Sequence, residues 1–361
     1  MTGVPAHVTR LILVYGGRSA EHDVSCSTAL HVLRAVAAER YDVTAIGIST
    51  AGEWFQLDAA TMSTARSGTL SALPICGDAL TPGDLGLRLA ASDAPTVVFP
   101  LLHGPLGEDG TIQGLLEVLD VPYVGSGVLG SALAMDKAMA KLVCAADGIP
   151  QAKYLVLRDR PRDLDDVTRT VTEQLGFPCF VKPANMGSSV GVARATTSDE
   201  LAQAIDDALS YDRIVIIEEA IVGREIEVAV LGNDDPRAFG PGEVIPADVF
   251  YSYADKYLDG RSSVRIPADL PTGVADQVRS LALRAFQLLR CRGLARCDFF
   301  FEEHGRGLLL NEVNTMPGFT PISMYPKMVI AGGIEYDELI DQLVDLAFAE
   351  HGSHPRRVDR S

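Results

Sequence analysis

The chain has 361 residues, 47% of them hydrophobic and 22% charged, enough for two or three domains with buried cores. Its formal net charge of −17 argues against nucleic acid, which selects basic faces, so any anionic substrate needs a local basic patch. No apolar run exceeds strand length, which excludes a membrane span and a signal-peptide core.

In chain order, RLILVYGG, DVTAIGIS and TVVFPLLHG read as buried parallel strands, with helices at about 26–38 and 110–119 between them. Each strand ends in a loop rich in Gly, Ser or His, where an open parallel sheet places its ligand crevice. Positions 58–94 lack strong periodicity and read as a surface excursion. From about Gly125 the pattern changes: SALAMDKAMAKLVCAADGIP reads as one helix with apolar Leu133, Met135, Met139, Leu142 and Val143, closing at Gly148 and Pro150. Strands KYLVL, CFVKPA, GVARA and IVIIEEAI follow, with a helix at 199–209. After Gly223 come EIEVAVLGN and GPGEVIPADVF as strands, a Tyr-rich loop at 251–265, a helix over 273–291, and the strands ARCDFFF and LLLNEVN. The expected divisions are 1–125, 126–222 and 223–351, with a frayed polar tail at 352–361. Six cysteines (Cys26, Cys76, Cys144, Cys179, Cys291 and Cys297) form no CxxC pair and no zinc spacing, the pattern of small buried hydrophobes in a reducing cytoplasm.

The strongest chemical signal is ARCDFFFEEHGRGLLLNEVN, two apolar strands around a Gly-containing turn. Strand alternation puts Arg296 and Asp298 on one face. With the turn centred near Gly305, Asp298 lies opposite Glu312 and Arg296 opposite Asn314, while Cys297, Leu309 and Val313 take the packing face. Clustered carboxylates on a half-buried sheet repel unless a cation joins them. Asp298, Glu312 and Asn314 offer oxygen only, which suits Mg²⁺ bridging ATP phosphates, and Arg296 beside them suits a developing anion. A salt-bridged hairpin without metal is the alternative, and it leaves the clustered acids poorly explained.

Two further segments are weaker alone. VKPANMGSSVGV carries Lys182 into a Gly/Ser loop able to cover phosphates, although such loops are also common turns; it is not a Walker A motif. IVIIEEAIVGREIEV could meet an adenine edge with its backbone, leaving acidic side chains free for ribose hydroxyls, or be an ordinary strand–turn–strand.

Taken in order, MDK, VKPANMGSSVG, IEEAIVGRE, FYSYADKY, RCDFF and NEVNTMPGFT, with GGRSAEHDVS and LHGPLGEDGTIQG upstream, resemble the ATP-grasp superfamily and within it the D-alanine–D-alanine ligases. The resemblance spans about 11–346. It implies an α/β and α+β architecture, an ATP-grasp with an N-terminal parallel-sheet domain. It also implies ligation of two D-alanines through D-alanyl phosphate, with D-alanine–D-lactate or another ATP-grasp ligation as the alternative.

By position, the resemblance makes Lys137 and Lys182 phosphate-binding lysines. Glu218, Glu219 and Ile221 match adenine contacts, Glu225 the ribose contact, and Asn311 a further ATP-binding position. Asp298, Glu312 and Asn314 match ligands of two Mg²⁺ ions, with Mn²⁺ a possible substitute and a monovalent cation a possible activator. Glu21 matches the residue that takes the first D-alanine's ammonium, and His103 would line the same pocket. Lys256 and Tyr257 match the mobile lid, Tyr257 reaching to Ser188 and Glu21. Arg296 and the Gly318 N–H would stabilise the oxyanion; Ser323 and Met324 lie in the segment holding the second D-alanine's carboxylate. Glu219 stands where the family often has Lys, and Met324 where it usually has Leu. Expected partners are D-alanine, ATP and a second copy of the chain, in the cytoplasm, with neither nucleic acid nor membrane.

Overall fold

The computed structural model describes residues 8–68, 70–90, 94–245 and 263–353; Lys256 and Tyr257 lie outside them. The first sheet comprises β1 (Thr9–Gly16), β2 (Tyr41–Ile48), β3 (Trp54–Gln56), β4 (Asp78–Leu80) and β5 (Thr96–Pro100), in the order β4-β3-β2-β1-β5. β1 is parallel to both β2 and β5, and its residues from Leu11 to Gly16 are buried. That is the burial a two-sided parallel strand requires. Helices α1 (His22–Ala35), α2 (Ala59–Ser67), α3 (Pro82–Ala90) and α4 (Thr111–Val118) accompany this sheet. The stretch expected to be a surface excursion without strong periodicity contains two helices and β4. α2 starts where Asp58 Oδ1 accepts the Thr61 N–H at 2.8 Å, but it buries only Ala65, so almost no apolar period marks it.

The apolar stretch expected as one helix is two, α5 (Val128–Met135) and α6 (Lys137–Ala146). Asp136 breaks it: its carboxylate accepts the N–H groups of Ala138 and Met139, both at 3.0 Å, and caps α6. Lys137 thus becomes the first residue of a new helix.

The second sheet, in order β6-β9-β7-β8, contains β6 (Tyr154–Arg158), β7 (Cys179–Pro183), β8 (Ala193–Ala195) and β9 (Ile214–Glu219), all paired antiparallel. α7 (Leu164–Gln174) and α8 (Ser198–Leu209) cover one face, burying Val171, Leu201 and Ile205 against Val181, Val215 and Ile217.

The third sheet is antiparallel throughout, in order β12-β11-β10-β13-β14: β10 (Arg224–Gly232), β11 (Arg237–Ile245), β12 (Ser263–Arg265), β13 (Gly293–Glu302) and β14 (Gly307–Asn314). α9 (Val274–Leu288) packs Val278, Leu281 and Phe286 on one face against Ile226, Val228, Cys297, Phe299 and Val313. Alternation then turns Glu225, Glu227, Arg296 and Asp298 to the opposite face. α10 (Met324–Ala331) and α11 (Tyr336–Ser353) return to the N-terminal sheet. Phe319 meets Phe99 edge-on at 5.8 Å between centroids, and Tyr41 Oη donates to Asp341 at 2.6 Å. α11 stays helical to Ser353, past the point where fraying was expected. All six cysteines are free; five are buried and Cys76 is exposed, an exception to the expected burial.

Candidate active site

A cleft enclosing about 450 Å³ runs between the second and third sheets. Its floor on the third sheet is a row of acids. Asp298 pairs with Glu312 and Arg296 with Asn314, the register expected from the sequence, and Glu227 of β10 lies directly across from Asp298 on the other side. Neighbouring carboxylates about 5 Å apart cost ~3 kcal/mol each at an effective dielectric of 20, more than an exposed ion pair returns. Protein cations sit among them: Arg296 donates from Nε and Nη2 to the two Asp298 oxygens, both at 2.7 Å, and Lys137 Nζ lies 3.6 Å from Glu312 Oε2. Asp298, Glu227 and Glu312 together hold the buried Arg296 well above its ordinary pKa, against burial, which acts to lower it.

One expectation for this hairpin is overturned. The register slips between Asp298 and Phe299, so that Phe299 faces Leu310 and Phe300 faces Leu309. Asn311 is the extra residue of a bulge. Leu309 therefore sits across from Phe300, while Leu308 and Leu310 join Cys297 and Val313 in the core. In exchange, Asn311 and Glu312, consecutive in sequence, both line the cleft.

The opposite wall is basic. Lys182 Nζ on β7 lies 2.5 Å from Glu218 Oε2 and donates to Asn311 Oδ1 at 3.4 Å; Lys141 of α6 lies 2.7 Å from the other Glu218 oxygen. Glu218 and Lys141 are almost completely buried. Burial alone would raise the Glu218 carboxyl, but the two lysines outweigh it and bring it down to about 2. Burial likewise acts to lower Lys182, and Glu218, backed by Glu312 and Glu225, holds it above its usual value. Lys137 Nζ donates to Met186 O at 2.7 Å, tying α6 to the Gly/Ser loop. The acidic side chains expected to be free for ribose are not. Glu218 is held by two lysines, and Glu219 accepts the Lys153 N–H and the Arg306 guanidinium, both at 2.6 Å. Ile221 and Glu225 line the cleft beside them.

At the far end the Gly/Ser loop meets the N-terminal sheet. Ser188 and Ser189 both have positive φ, 48° and 59°, a costly backbone for serine, and Ser188 Oγ donates to Glu21 Oε1 in a short hydrogen bond. A Cβ on Gly187 would stand 2.7 Å from Glu21 Oε2 and would push that carboxylate aside. Glu21 occupies the N-cap of α1 without a side-chain capping bond, so its carboxylate is turned to the loop instead. His103 is buried and its Nδ1 lies 3.0 Å from Met316 O. Burial, reinforced by Arg296 and opposed by Glu21, lowers its pKa. A neutral ring donating from Nδ1 leaves Nε2 as an acceptor, and that atom has no hydrogen-bond partner among the described residues.

Among the residues lining or framing this cleft that were missed from sequence are Lys141, Glu227 and Glu108. Glu108 accepts the Gly104 N–H at 2.6 Å, and burial together with the Glu21 charge pushes its carboxyl up to about 8. Gly318 and Ser323 lie in the loop after β14, where Ser323 Oγ is 2.8 Å from Thr320 Oγ1. Met324 points into the core: a Cβ on Gly242 would stand 2.5 Å from its Cε. Of the expected residues, this leaves Gly318, Ser323 and Met324 off the cleft lining, and Glu21 and His103 as well: Glu21 is joined to it through Ser188, and His103 lines a neighbouring pocket beside β1 and α4.

Two family models match, D-ala D-ala ligase N-terminus over 10–126 and D-ala D-ala ligase C-terminus over 143–345. The chain belongs to the D-alanine–D-alanine ligase family. It is 46% identical over 353 residues to the D-alanine–D-alanine ligase of Bacillus licheniformis, covering 95% of this chain and 97% of that protein. It is 44% identical to that of Listeria monocytogenes, covering 96% and 97%. The solved D-alanine–D-alanine ligase from Coxiella burnetii superposes with a TM-score of 0.80 at 33% identity, covering 96% of each chain. The VanG D-Ala:D-Ser ligase from Enterococcus faecalis gives 0.77 at 29%, covering 94% and 99%. The fold is accordingly the ATP-grasp of this family, with a parallel-sheet unit at the N-terminus. Membership of this family of ATP-dependent ligases implies use of ATP and a divalent metal. Among the described residues, no helix is long and apolar enough to cross a membrane.

Proposed function

We propose that this chain joins two D-alanines into D-alanyl-D-alanine for peptidoglycan precursor synthesis, with ATP converted to ADP and phosphate. The observation that carries the reading is the opposed polarity of the cleft, with lysines on one wall and a row of carboxylates on the other. That is the arrangement a metal-bound triphosphate requires.

ATP lies with its adenine at the backbone of 218–221 and its ribose at Glu225. Lys137, Lys182 and the Ser188 loop neutralise its phosphates, and Asn311 helps to fix Lys182. Asp298, Glu312 and Asn314 would hold two Mg²⁺ ions, since each can ligate through oxygen and Asp298 and Glu312 already draw Arg296 and Lys137; Mn²⁺ can substitute. When bound, these ions neutralise charge on the phosphoryl oxygens. Glu21 and the His103 Nε2 acceptor receive the first D-alanine's ammonium. Its carboxylate oxygen attacks the γ-phosphorus, ADP leaves, and D-alanyl phosphate remains. The second amine, having lost a proton, attacks the acyl carbon, and phosphate departs with the C–O bond electrons. Arg296 and the Gly318 N–H stabilise the tetrahedral oxyanion, and the Ser323–Met324 segment holds the second carboxylate through its backbone. Lys256 and Tyr257, to which the resemblance gives the transferred phosphoryl group and a reach to Ser188 and Glu21, lie outside the described residues.

In this reading 1–125 supplies the first D-alanine site, 126–222 the basic wall, and 223–351 the acidic wall. The active form is a cytoplasmic homodimer. Mass spectrometry of products formed from ATP, Mg²⁺ and D-alanine tests the assignment, with D-serine, D-lactate and L-alanine in parallel. A mass of D-alanyl-D-alanine with stoichiometric ADP is expected. No product with D-alanine alone would overturn the assignment, and an ester or a D-serine product in preference would move the second-substrate specificity.

A further inference from the structure

Arg296 is the cation at the centre of three carboxylates on three adjacent strands, yet its hydrogen bonds go to Asp298 alone of the three. Asp298 Oδ2 accepts from Arg296 Nη2 and also from Asn314 Nδ2 at 3.0 Å, which engages both lone pairs of that oxygen. Asp298 cannot offer Oδ2 to a divalent cation while both contacts hold, and a guanidinium and a dication sharing one carboxylate repel. A buried guanidinium leaving Asp298 needs another anion at once. Glu312 already faces Lys137. Glu227 is already within ion-pair reach: its side chain is 10% exposed, and Oε2 stands 3.3 Å from Arg296 Nε. Nothing places it as a ligand itself. Its oxygen lies against the guanidinium, and no three His, Cys, Asp or Glu side chains converge as a metal set among the described residues.

We propose that Glu227 is a positioning residue that receives the Arg296 guanidinium when Asp298 turns to a divalent cation. The arginine then guards Asp298 in the free protein and is held by Glu227 in the loaded one. The inference rests on the metal role given to Asp298 above. Its test is Mn²⁺ binding to the full chain with ADP, read by electron paramagnetic resonance of free Mn²⁺, beside calorimetric ADP binding without metal. Glu227→Gln is expected to weaken Mn²⁺ about 10- to 100-fold, the usual loss for an outer-shell partner, and to leave metal-free ADP binding unchanged. In an Arg296→Met background the same substitution should have no further effect. Mn²⁺ affinity within about twofold of the parent in Glu227→Gln overturns the proposal. So does a loss of equal size in both backgrounds, the signature of a direct ligand, or a matching loss of metal-free ADP binding, the signature of a structural role. If Arg296→Met does not fold, Glu227→Asp decides: retained charge restores Mn²⁺ affinity to within about threefold, and no rescue overturns the idea. Asp298→Asn separates the two layers. If it binds Mn²⁺ normally, the metal reading falls and this inference with it; if it loses Mn²⁺ while Glu227→Gln does not, only this inference falls.

Discussion

The two walls of the cleft solve opposite electrostatic problems. The basic wall buries two lysines around one carboxylate, Lys141 and Lys182 on Glu218, and keeps a positive excess. The acidic wall sets three carboxylates, Glu227, Asp298 and Glu312, around Arg296 and keeps a negative one. They are also built differently. Antiparallel register alone brings the acids together, because residues opposite one another on neighbouring strands share a face. The lysines come from a helix and a strand far apart in sequence, and Glu218 is what joins them. The acidic wall therefore depends on strand pairing, and the basic wall on one buried ion triad.

The difference can be pressed from either side. Glu312→Gln should lower turnover by about three orders of magnitude. Far-UV circular dichroism and melting should stay unchanged, since the hairpin loses a like-charge neighbour; near-normal phosphate release would break the account of the acidic wall. Lys141→Met should act mainly on stability, by roughly 2 kcal/mol, less than the about 3–5 kcal/mol of a fully stranded buried charge because Glu218 keeps Lys182. A urea midpoint unshifted by the substitution would show that the triad is not what joins that wall.

The walls' surroundings also respond oppositely to pH. Glu218, depressed to about 2, gives stability that is present above its unfolded value near 4.5 and lost as pH falls toward 2. Glu108, raised to about 8, gives stability that is present below 4.5 and lost as pH rises through 8. Glu108→Gln should accordingly flatten the decline of melting temperature between about pH 5 and 8, and an unaltered slope would remove Glu108 from the account. The smallest effect belongs to Arg306→Gln at the adenine end: about 1 kcal/mol or less, because this ion pair is partly exposed, with KM for ATP changed by less than about threefold. A larger rise would make Glu219 and Arg306 part of nucleotide binding rather than a latch at its rim.

How far the sequence could carry this site follows from the same contrast. Period two and the Gly305 turn were enough to pair Asp298 with Glu312, and the same rule applied to REIEV would have placed Glu227 beside Glu225, on the face opposite Ile226 and Val228. The bulge at Asn311 leaves no such mark, so Leu309 was assigned to the wrong face. Lys141 looks like an ordinary helix-surface lysine until the fold brings Glu218 to it. Asp136, inside an apolar run, was the available sign that one helix was two. Glu108 had none, because its altered protonation comes from burial and from Glu21, which lies 87 positions away. Lys256 and Tyr257 remain expectations from resemblance.

The edge-on meeting of Phe99 with Phe319, and the bond from Tyr41 to Asp341, bear on how the molecule is made. Leu33 and Phe99, early in the chain, share one core with Ile340 and Val344. On the ribosome, the first sheet emerges long before the helix that finishes covering it, and its apolar flank must wait through more than two hundred residues of synthesis. Chaperone demand should then peak in that interval, and a nascent chain stalled before α11 should be cut by protease within the N-terminal sheet as well as at its growing end.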